Sequence, residues 1–354
     1  MKTETDRATP LVLEADASIL DATMRLRGDR YGFGIVEDSE GRYLGSVSDF
    51  DIRHAVLRRC SLSSPAREIM SQRGPVARAG DSDAQVREIL ESRRVRAVPM
   101  LDEEGRAFGV RTLDEFPDAA PAAPIAVIMA GGRGQRLRPL TDKVPKPLLR
   151  VGSSSIIERI IKHLGAAGVA DVHLAVNYKA EIFHERLGRG EALGVNLHYI
   201  HEQTELGTAG ALSLIETAPD GPIIVTNGDL VSTVDFGRLV DFHRRHGGAV
   251  TVGGVDYVSH VPYGILDIVN HHLLSIQEKP ERRELCNAGI YVIEPHVLGY
   301  LTPGAHMNMP DLIADVLADG ASVNVFPIYE KWFDIGSPAE FERILIQFAT
   351  GEES

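Results

Sequence analysis

Two hydrophobic rhythms run along the chain. One has spacings of three and four residues. Ile156, Ile157, Ile160, Ile161 and Leu164 fall on a single helical stripe, and similar patterns recur over 18–27, 82–92, 180–188, 208–217 and 236–245. The other is the short apolar run. Ile125–Met129 is continuously apolar, as in a strand buried on both faces of a parallel sheet, and further strands are predicted at 172–176, 195–200, 222–226 and 249–255. From residue 125 onward strands and helices alternate, which predicts a doubly wound, mostly parallel α/β sheet with ligands outside the carboxyl ends of its strands. Ser155-x-x-Glu158 reads as a capping box opening the 156–164 helix, and Gly165 as its stop.

Residues before 117 follow a different plan. VEDSEGRYLGSVSDFD (Val36–Asp51) overlays MLDEEGRAFGVRTLDE (Met100–Glu115) at a constant offset of 64, with Asp38, Gly41, Arg42 and Gly45 falling on Asp102, Gly105, Arg106 and Gly109. Each copy reads as an amphipathic helix, a strand, a glycine turn, a second strand and a short polar-started helix. One such unit cannot bury its own apolar face, and two packed together can. Residues 1–116 hold one lysine and seventeen arginines, with a net charge of −3; the remainder holds six lysines and a net of −10. PDAAPAAP, 117–124, separates them as a short stiff linker. The repeat resembles a tandem pair of CBS domains, about 8–57 and 68–116, which makes 1–116 an α+β module. That resemblance implies an adenine-nucleotide effector, its ribose read by Ser48 with Asp51 and by Thr112 with Glu115. Ser/Thr-x-x-Asp/Glu is equally a capping box, so the same residues fit helix caps that bind nothing.

Composition narrows the rest. The 354 residues are 44% hydrophobic and 25% charged, enough apolar material for ordinary cores. A net charge of −13 argues against nucleic acid or an anionic membrane as partner. No apolar run is long enough to span a bilayer, and MKTETDRATP lacks the apolar centre of a signal peptide. Cys60 and Cys286 build neither a disulfide framework nor a metal motif. A soluble, cytoplasmic protein is expected.

The chemistry concentrates after residue 124. The Ile125–Met129 strand runs into Ala130-Gly131-Gly132-Arg133-Gly134-Gln135-Arg136, where three glycines let backbone N–H groups face an anion and Arg136 and Lys146 add positive charge. It is not a P-loop, since no G-x-x-x-x-G-K-[ST] occurs, and Leu137 stands where a dinucleotide fold has its third glycine. GGRGQRLRPLT followed by PKPLL is similar to the signature of sugar-1-phosphate nucleotidyltransferases, and the likeness extends over about 124–349. Many members of that family carry threonine at the position of Gln135. The resemblance implies a Rossmann-like, GT-A-like domain over 125–354 that joins a nucleoside triphosphate to a sugar-1-phosphate and releases pyrophosphate.

Site residues follow from the same resemblance. Ala130, Gly131, Gly132, Gly134, Gln135 and Arg136 would hold nucleotide phosphates, with Glu202, Gly207 and Thr208 nearer the base. Relatives that use uridine or thymidine nucleotides are expected to carry glutamine where Glu202 stands, whereas a carboxylate accepts from both N1–H and the N2 amine of guanine, which favours GTP. A solvated strand-end charge is the plainer reading of Glu202, and UTP, dTTP and CTP stay open as substrates. Asp229, at the exit of IIVTNGD, and Asp334, within WFDIG, would bind Mg²⁺; alone, Asp229 would read as a turn or a cap. Tyr263, Gly264, Glu278, Lys279 and Asn287 would bind the sugar phosphate, mannose- or glucosamine-1-phosphate, and Asn287-Ala288-Gly289 reads as the start of a strand. Arg136, Lys146, Asp229, Lys279 and Asp334 form the expected catalytic set. A regulator that senses nucleotide through an inactive transferase domain is the alternative of another class, and Asn227-Gly-Asp229, in place of Asp-x-Asp, argues against a glycosyltransferase. A homo-oligomer is expected from the CBS-like pair. No hexapeptide repeats follow, so no trimerising β-helix is expected.

Overall fold

The two plans become two modules in the computed structural model, which describes residues 10–29, 32–116 and 122–349. Residues 117–121 of the expected linker and the first nine of the expected CBS-like module lie outside the described residues.

In the first module, β1 (Leu11–Glu14), α1 (Ile19–Arg27), β2 (Phe33–Glu37), β3 (Tyr43–Ser48) and α2 (Asp49–Leu57) form one unit. β4 (Ala77–Arg78), α3 (Asp83–Ser92), β5 (Ala97–Leu101), β6 (Ala107–Thr112) and a 3₁₀ turn (Leu113–Glu115) form the second. Each unit is a three-stranded sheet, parallel across its first pair and antiparallel across its second. The copies agree in fine detail. The β2–β3 ladder slips between Val36 and Glu37, and the β5–β6 ladder slips between Met100 and Leu101, 64 residues on. Gly41 and Gly105, at φ +76° and +79°, make the same left-handed turn.

The second module is a seven-stranded sheet. Its strands are β7 (Ile125–Met129), β10 (Asp171–Val176), β11 (Asn196–His201), β12 (Ile223–Asn227), β14 (Val250–His260), β17 (Glu281–Ile293) and β18 (Val323–Ile328). Their order across the sheet is β11-β10-β7-β12-β17-β14-β18, and every pairing is parallel except the two made by β17. Three ribbons hang from this sheet: β8 (Arg150–Val151) with β9 (Ser154–Ser155), β13 (Leu230–Ser232) with β19 (Trp332–Asp334), and β15 (Ile265–Val269) with β16 (His272–Gln277).

Both faces of the sheet are covered, so its strands alternate between two cores. Ala126 and Ile128 of β7 and Ile224 of β12 face α4 (Ile156–Ala166), α5 (Ala180–Leu187), α6 (Phe236–His246) and α8 (Pro338–Ala349). Val127, Ile223 and Val225 face α7 (Met309–Ala318) and two 3₁₀ segments, Gly210–Leu214 and Pro295–Tyr300. α4 opens as its sequence predicts: the Ser155 N–H donates to Glu158 Oε2 at 2.6 Å, and the Glu158 N–H donates back to Ser155 Oγ.

Two local expectations are corrected. The 208–217 segment predicted as helix is the short 3₁₀ turn Gly210–Leu214, because Gly207 and Gly210 press against the backbone of Ala305–Met307. Asn287-Ala288-Gly289, expected to begin a strand, lies inside β17, where the ladder with β14 slips between Val252 and Gly254.

Ile157 is fully buried between α4 and the sheet. Ile157→Ala should lower stability by about 2–5 kcal/mol, read as a shifted urea midpoint at constant slope. A loss below about 1 kcal/mol would mean that α4 is not packed as described.

Candidate active site

The candidate residues meet in a cleft of about 350 Å³ at the carboxyl ends of β7 and β12. Met129, Ala130, Gly132, Gly134, Gln135, Arg136, Lys146, Asp229 and Gly336 are among its lining. A parallel sheet leaves a crevice there, because the chain must leave each strand end before crossing back.

The 130–137 loop is held in shape by its neighbours. Ala130 donates its N–H to Ala175 O at 2.9 Å, so that amide belongs to the sheet and is unavailable to a phosphate, contrary to the expectation for Ala130. The N–H groups of Gly131 through Arg136 have no acceptor among the described residues and remain for an anion. Gly134 takes φ +60°, and a β-carbon there would lie 3.0 Å from Thr141 and 3.1 Å from the Lys146 side chain. Thr141 Oγ1 donates to Gly134 O at 2.8 Å and pins the turn.

Lys146 lies on the 3₁₀ turn Lys146–Leu148, almost wholly buried. Its ammonium donates to Asp229 Oδ2 and lies 3.8 Å from Asp334 Oδ1. The β13–β19 ribbon brings these carboxylates together: Leu230 pairs with Asp334, and the Ile335 N–H points at Asp229 O. Burial, with the Asp229 charge second, pushes the Asp334 carboxyl above its usual range, and Lys146 opposes both. Two hard carboxylates converge where a cation already sits, beside a loop of unpaired amides. That donor set fits Mg²⁺, which binds through one or two carboxylates and completes its shell with substrate phosphates and water.

Glu202 follows the end of β11. Its N–H donates to Val176 O, its carbonyl accepts from Asn177 Nδ2, and its Oε2 accepts the Leu206 N–H at 3.0 Å. The carboxylate stands against the glycine loop, since a β-carbon on Gly131 would fall 2.7 Å from Glu202 Oε1. Glu202 is thus a buried loop-edge carboxylate, not a solvated strand-end charge.

Other expected residues lie elsewhere. Thr208 was expected beside the nucleotide, yet its hydroxyl accepts the Met309 N–H at the start of α7, and Gly207 gives way to Met307 O; both hold the 305–309 segment. Tyr263, Gly264, Glu278 and Lys279 sit on the exposed β15–β16 arm, and none of them lines the cleft. Asn287, at the root of that arm, donates to the Tyr291 hydroxyl at 2.8 Å and accepts from the Gly289 N–H. Ser48/Asp51 forms a closed capping box at α2, and at the 113–115 turn Glu115 Oε1 accepts the Thr112 N–H at 2.8 Å. Sequence reasoning gave no role to Thr141 and Gly336, although both stand inside the GGRGQRLRPLT and WFDIG stretches, and it missed Asn177, which stands in no motif and carries no signal of its role.

Comparison with known proteins agrees with this geometry. A nucleotidyl transferase family model matches residues 125–350, and a CBS domain model matches 7–58. A mannose-1-phosphate guanyltransferase from Kluyveromyces lactis is 36% identical over 224 residues, 61% of this chain and 62% of that protein. A mannose-1-phosphate guanylyltransferase from Mycobacterium tuberculosis is 32% identical over 226 residues, 62% of each. The chain thus spans about three-fifths of the length of the curated relatives it matches. In fold it resembles a Bacillus anthracis crystal structure described as a glucose-1-phosphate thymidylyltransferase, with TM-score 0.52 and 24% identity over 64% of this chain and 95% of that one. No helix among the described residues is long and apolar enough to cross a membrane.

Glu202 supplies a test that needs no ligand. Burial holds its carboxyl above the usual range, against the opposing Leu206 N–H bond. A carboxyl raised on folding favours the folded state at low pH, and that contribution is lost as pH climbs through its folded pKa. Glu202→Gln should therefore melt above the wild type at pH 7.5, with the difference shrinking toward about pH 4. A difference that is constant or grows on acidification would contradict the assignment.

Proposed function

This chain belongs to the nucleotidyl transferase family, and from that premise we propose that it transfers a guanylyl group from GTP to a sugar-1-phosphate, mannose-1-phosphate foremost, and releases pyrophosphate. One observation carries the reading: Lys146, Asp229 and Asp334 converge at the strand ends beside six unpaired loop amides. The two relatives described above, both named for mannose-1-phosphate, support the choice of sugar and base.

The reaction is an in-line attack by a phosphate oxygen of the sugar on the α-phosphorus of the triphosphate. The nucleophile is already anionic, so the site needs no strong general base, and catalysis rests on positioning and charge. The Gly131–Arg136 amides and the Arg136 side chain take the β- and γ-phosphates. Asp229 and Asp334 hold Mg²⁺, which supplies charge neutralisation at the phosphates when bound. Lys146 keeps the two carboxylates from repelling each other before substrate arrives and offers a cation to the incoming anions afterwards. The Glu202 carboxylate, with Oε1 against the bare backbone of Gly131, accepts the N1–H and N2–H of guanine. Lys279 and its neighbours act on the sugar phosphate if the β15–β16 arm folds toward the cleft.

Pyrophosphate release in Mg²⁺ tests this, with GTP, ATP, UTP, dTTP and CTP against mannose-, glucose-, glucosamine- and N-acetylglucosamine-1-phosphate. Turnover is expected with GTP and mannose-1-phosphate, and turnover restricted to UTP or dTTP would remove the Glu202 argument. Saturable GTP binding with no pyrophosphate from any pair would favour the nucleotide-sensing reading. Asp229→Ala and Asp334→Ala should each cut turnover by on the order of a thousandfold with the fold intact. Near-wild-type activity in either would contradict the site.

A further inference from the structure

Arg53, in the middle of α2, has no exposed surface. Its Nε donates to Asp49 Oδ2 at 2.6 Å, one turn back on its own helix. Apart from a second bond from Nη2 to Asp49 Oδ1 at 3.3 Å, its hydrogen-bond and ring partners among the described residues belong to the other module. Nη2 reaches Glu330 Oε1 at 2.7 Å, Nη1 reaches Glu330 Oε2 at 3.2 Å, and Nη1 also donates to the Pro327 carbonyl. The guanidinium lies 3.7 Å from the centroid of the Phe326 ring. Such a fork, satisfied by two carboxylates and a carbonyl, fixes its partners in angle as well as distance. The first module therefore grips the 326–330 segment by side chain and main chain together.

That segment leads directly into the site. Four residues after Glu330 comes Asp334, the last residue of β19. β19 has three residues and pairs only with three-residue β13. A ladder so short fixes register weakly, and its ends must be held by other contacts. At one end the Ile335 N–H meets Asp229 O and Lys146 faces both aspartates. In the middle, Lys331 O accepts from Thr233 N and Ser232 Oγ, and Trp332 Nε1 donates to Ala288 O. At the other end is Arg53. We infer that Arg53 is a positioning residue for Asp334: by fixing Glu330 it sets where the Asp334 carboxylate stands relative to Asp229, and the first module is thereby a working part of the transfer site. The inference rests on the nucleotidyl-transfer reading above, in which those carboxylates hold the metal.

Arg238 of α6 is a natural control. It joins the same cluster through Asp49 Oδ1 at 2.9 Å and also binds Leu26 O and Asp29 O, so it docks the first module just as firmly. It makes no hydrogen bond to residues 326–334 among the described residues. Arg238 reaches that segment through Asp49 Oδ1, which also accepts the Tyr329 hydroxyl at 2.7 Å, whereas of the two arginines Arg53 binds Glu330 and Pro327 directly; general docking would make both matter alike, and positioning through the strand makes Arg53 matter more.

The full chain would be compared as wild type, Arg53→Met, Arg53→Lys and Arg238→Met. Three quantities would be read: Mn²⁺ affinity by electron paramagnetic resonance, amide exchange over 331–336, and the Mg²⁺ dependence of pyrophosphate release. Arg53→Met should weaken Mn²⁺ binding and lower kcat by about tenfold each, speed exchange over 331–336 and leave the KM for GTP near wild type. Arg53→Lys should recover part of the loss, and Arg238→Met, which leaves the bonds to Glu330 and Pro327 in place, should move each readout far less than Arg53→Met does. Equal effects from Arg53→Met and Arg238→Met would overturn the inference, as would wild-type Mn²⁺ affinity and exchange in Arg53→Met. If Arg53→Met does not fold, Glu330→Gln, which keeps the acceptor oxygen but drops the charge, is read by the same criteria. A wild type that binds Mn²⁺ but releases no pyrophosphate would count against the functional reading alone, since Mn²⁺ affinity and exchange still decide the role of Arg53.

Discussion

The arrangement turns on one ammonium group between two carboxylates. Asp229, in the turn between β12 and β13, and Asp334, at the end of β19, are far apart in sequence, and two negative charges so placed repel unless a cation separates them. Lys146 is that cation in the structure, and much of the second module serves to deliver it. Its 3₁₀ turn packs on Gly134, whose missing β-carbon leaves room for the lysine stem. The β13–β19 ribbon exists to place the aspartates opposite each other. The unpaired amides of the glycine loop then extend the positive side of the site toward any phosphate that enters.

Much of this was legible in the sequence because it is local or periodic. The apolar run at 125–129 and the Ser155–Glu158 box fixed a strand and a helix start, and both stand where they were expected. The 64-residue offset was strong enough that even the ladder irregularities after Val36 and Met100 correspond. What escaped were contacts without period. Gly207 looked like a nucleotide-facing glycine, yet it and Gly210 are small because the chain near 305–307 passes over them. No motif marks Arg53 in the sequence, and only the return of the chain at 326–330 makes it a buried ion centre.

The first module takes a more mechanical part than its resemblance suggested. Its Ser48–Asp51 and Thr112–Glu115 pairs are occupied as caps. Burial pushes the Asp51 carboxyl up even though it accepts bonds from Ser48. A nucleotide ribose at either place would have to share or displace a capping bond, which costs about 1 kcal/mol. What is plainly built is the same end of α2, where Asp49 is held below the usual carboxylate range by Arg53 and Arg238 against the effect of its own burial. The same helix thus carries a cap candidate for an effector at one end and the grip on the transfer site within three residues of it.

The most direct measurement of the central claim follows the phosphorus atoms. GTP radiolabelled at the α-position would be incubated with mannose-1-phosphate and Mg²⁺, and the products separated. Attack on the α-phosphorus at the Lys146–Asp229–Asp334 site predicts label in a guanosine diphosphate sugar and unlabelled pyrophosphate in equal amounts. Label retained in GDP with release of inorganic phosphate, or in GMP with no sugar nucleotide, would mean that the site performs a different reaction.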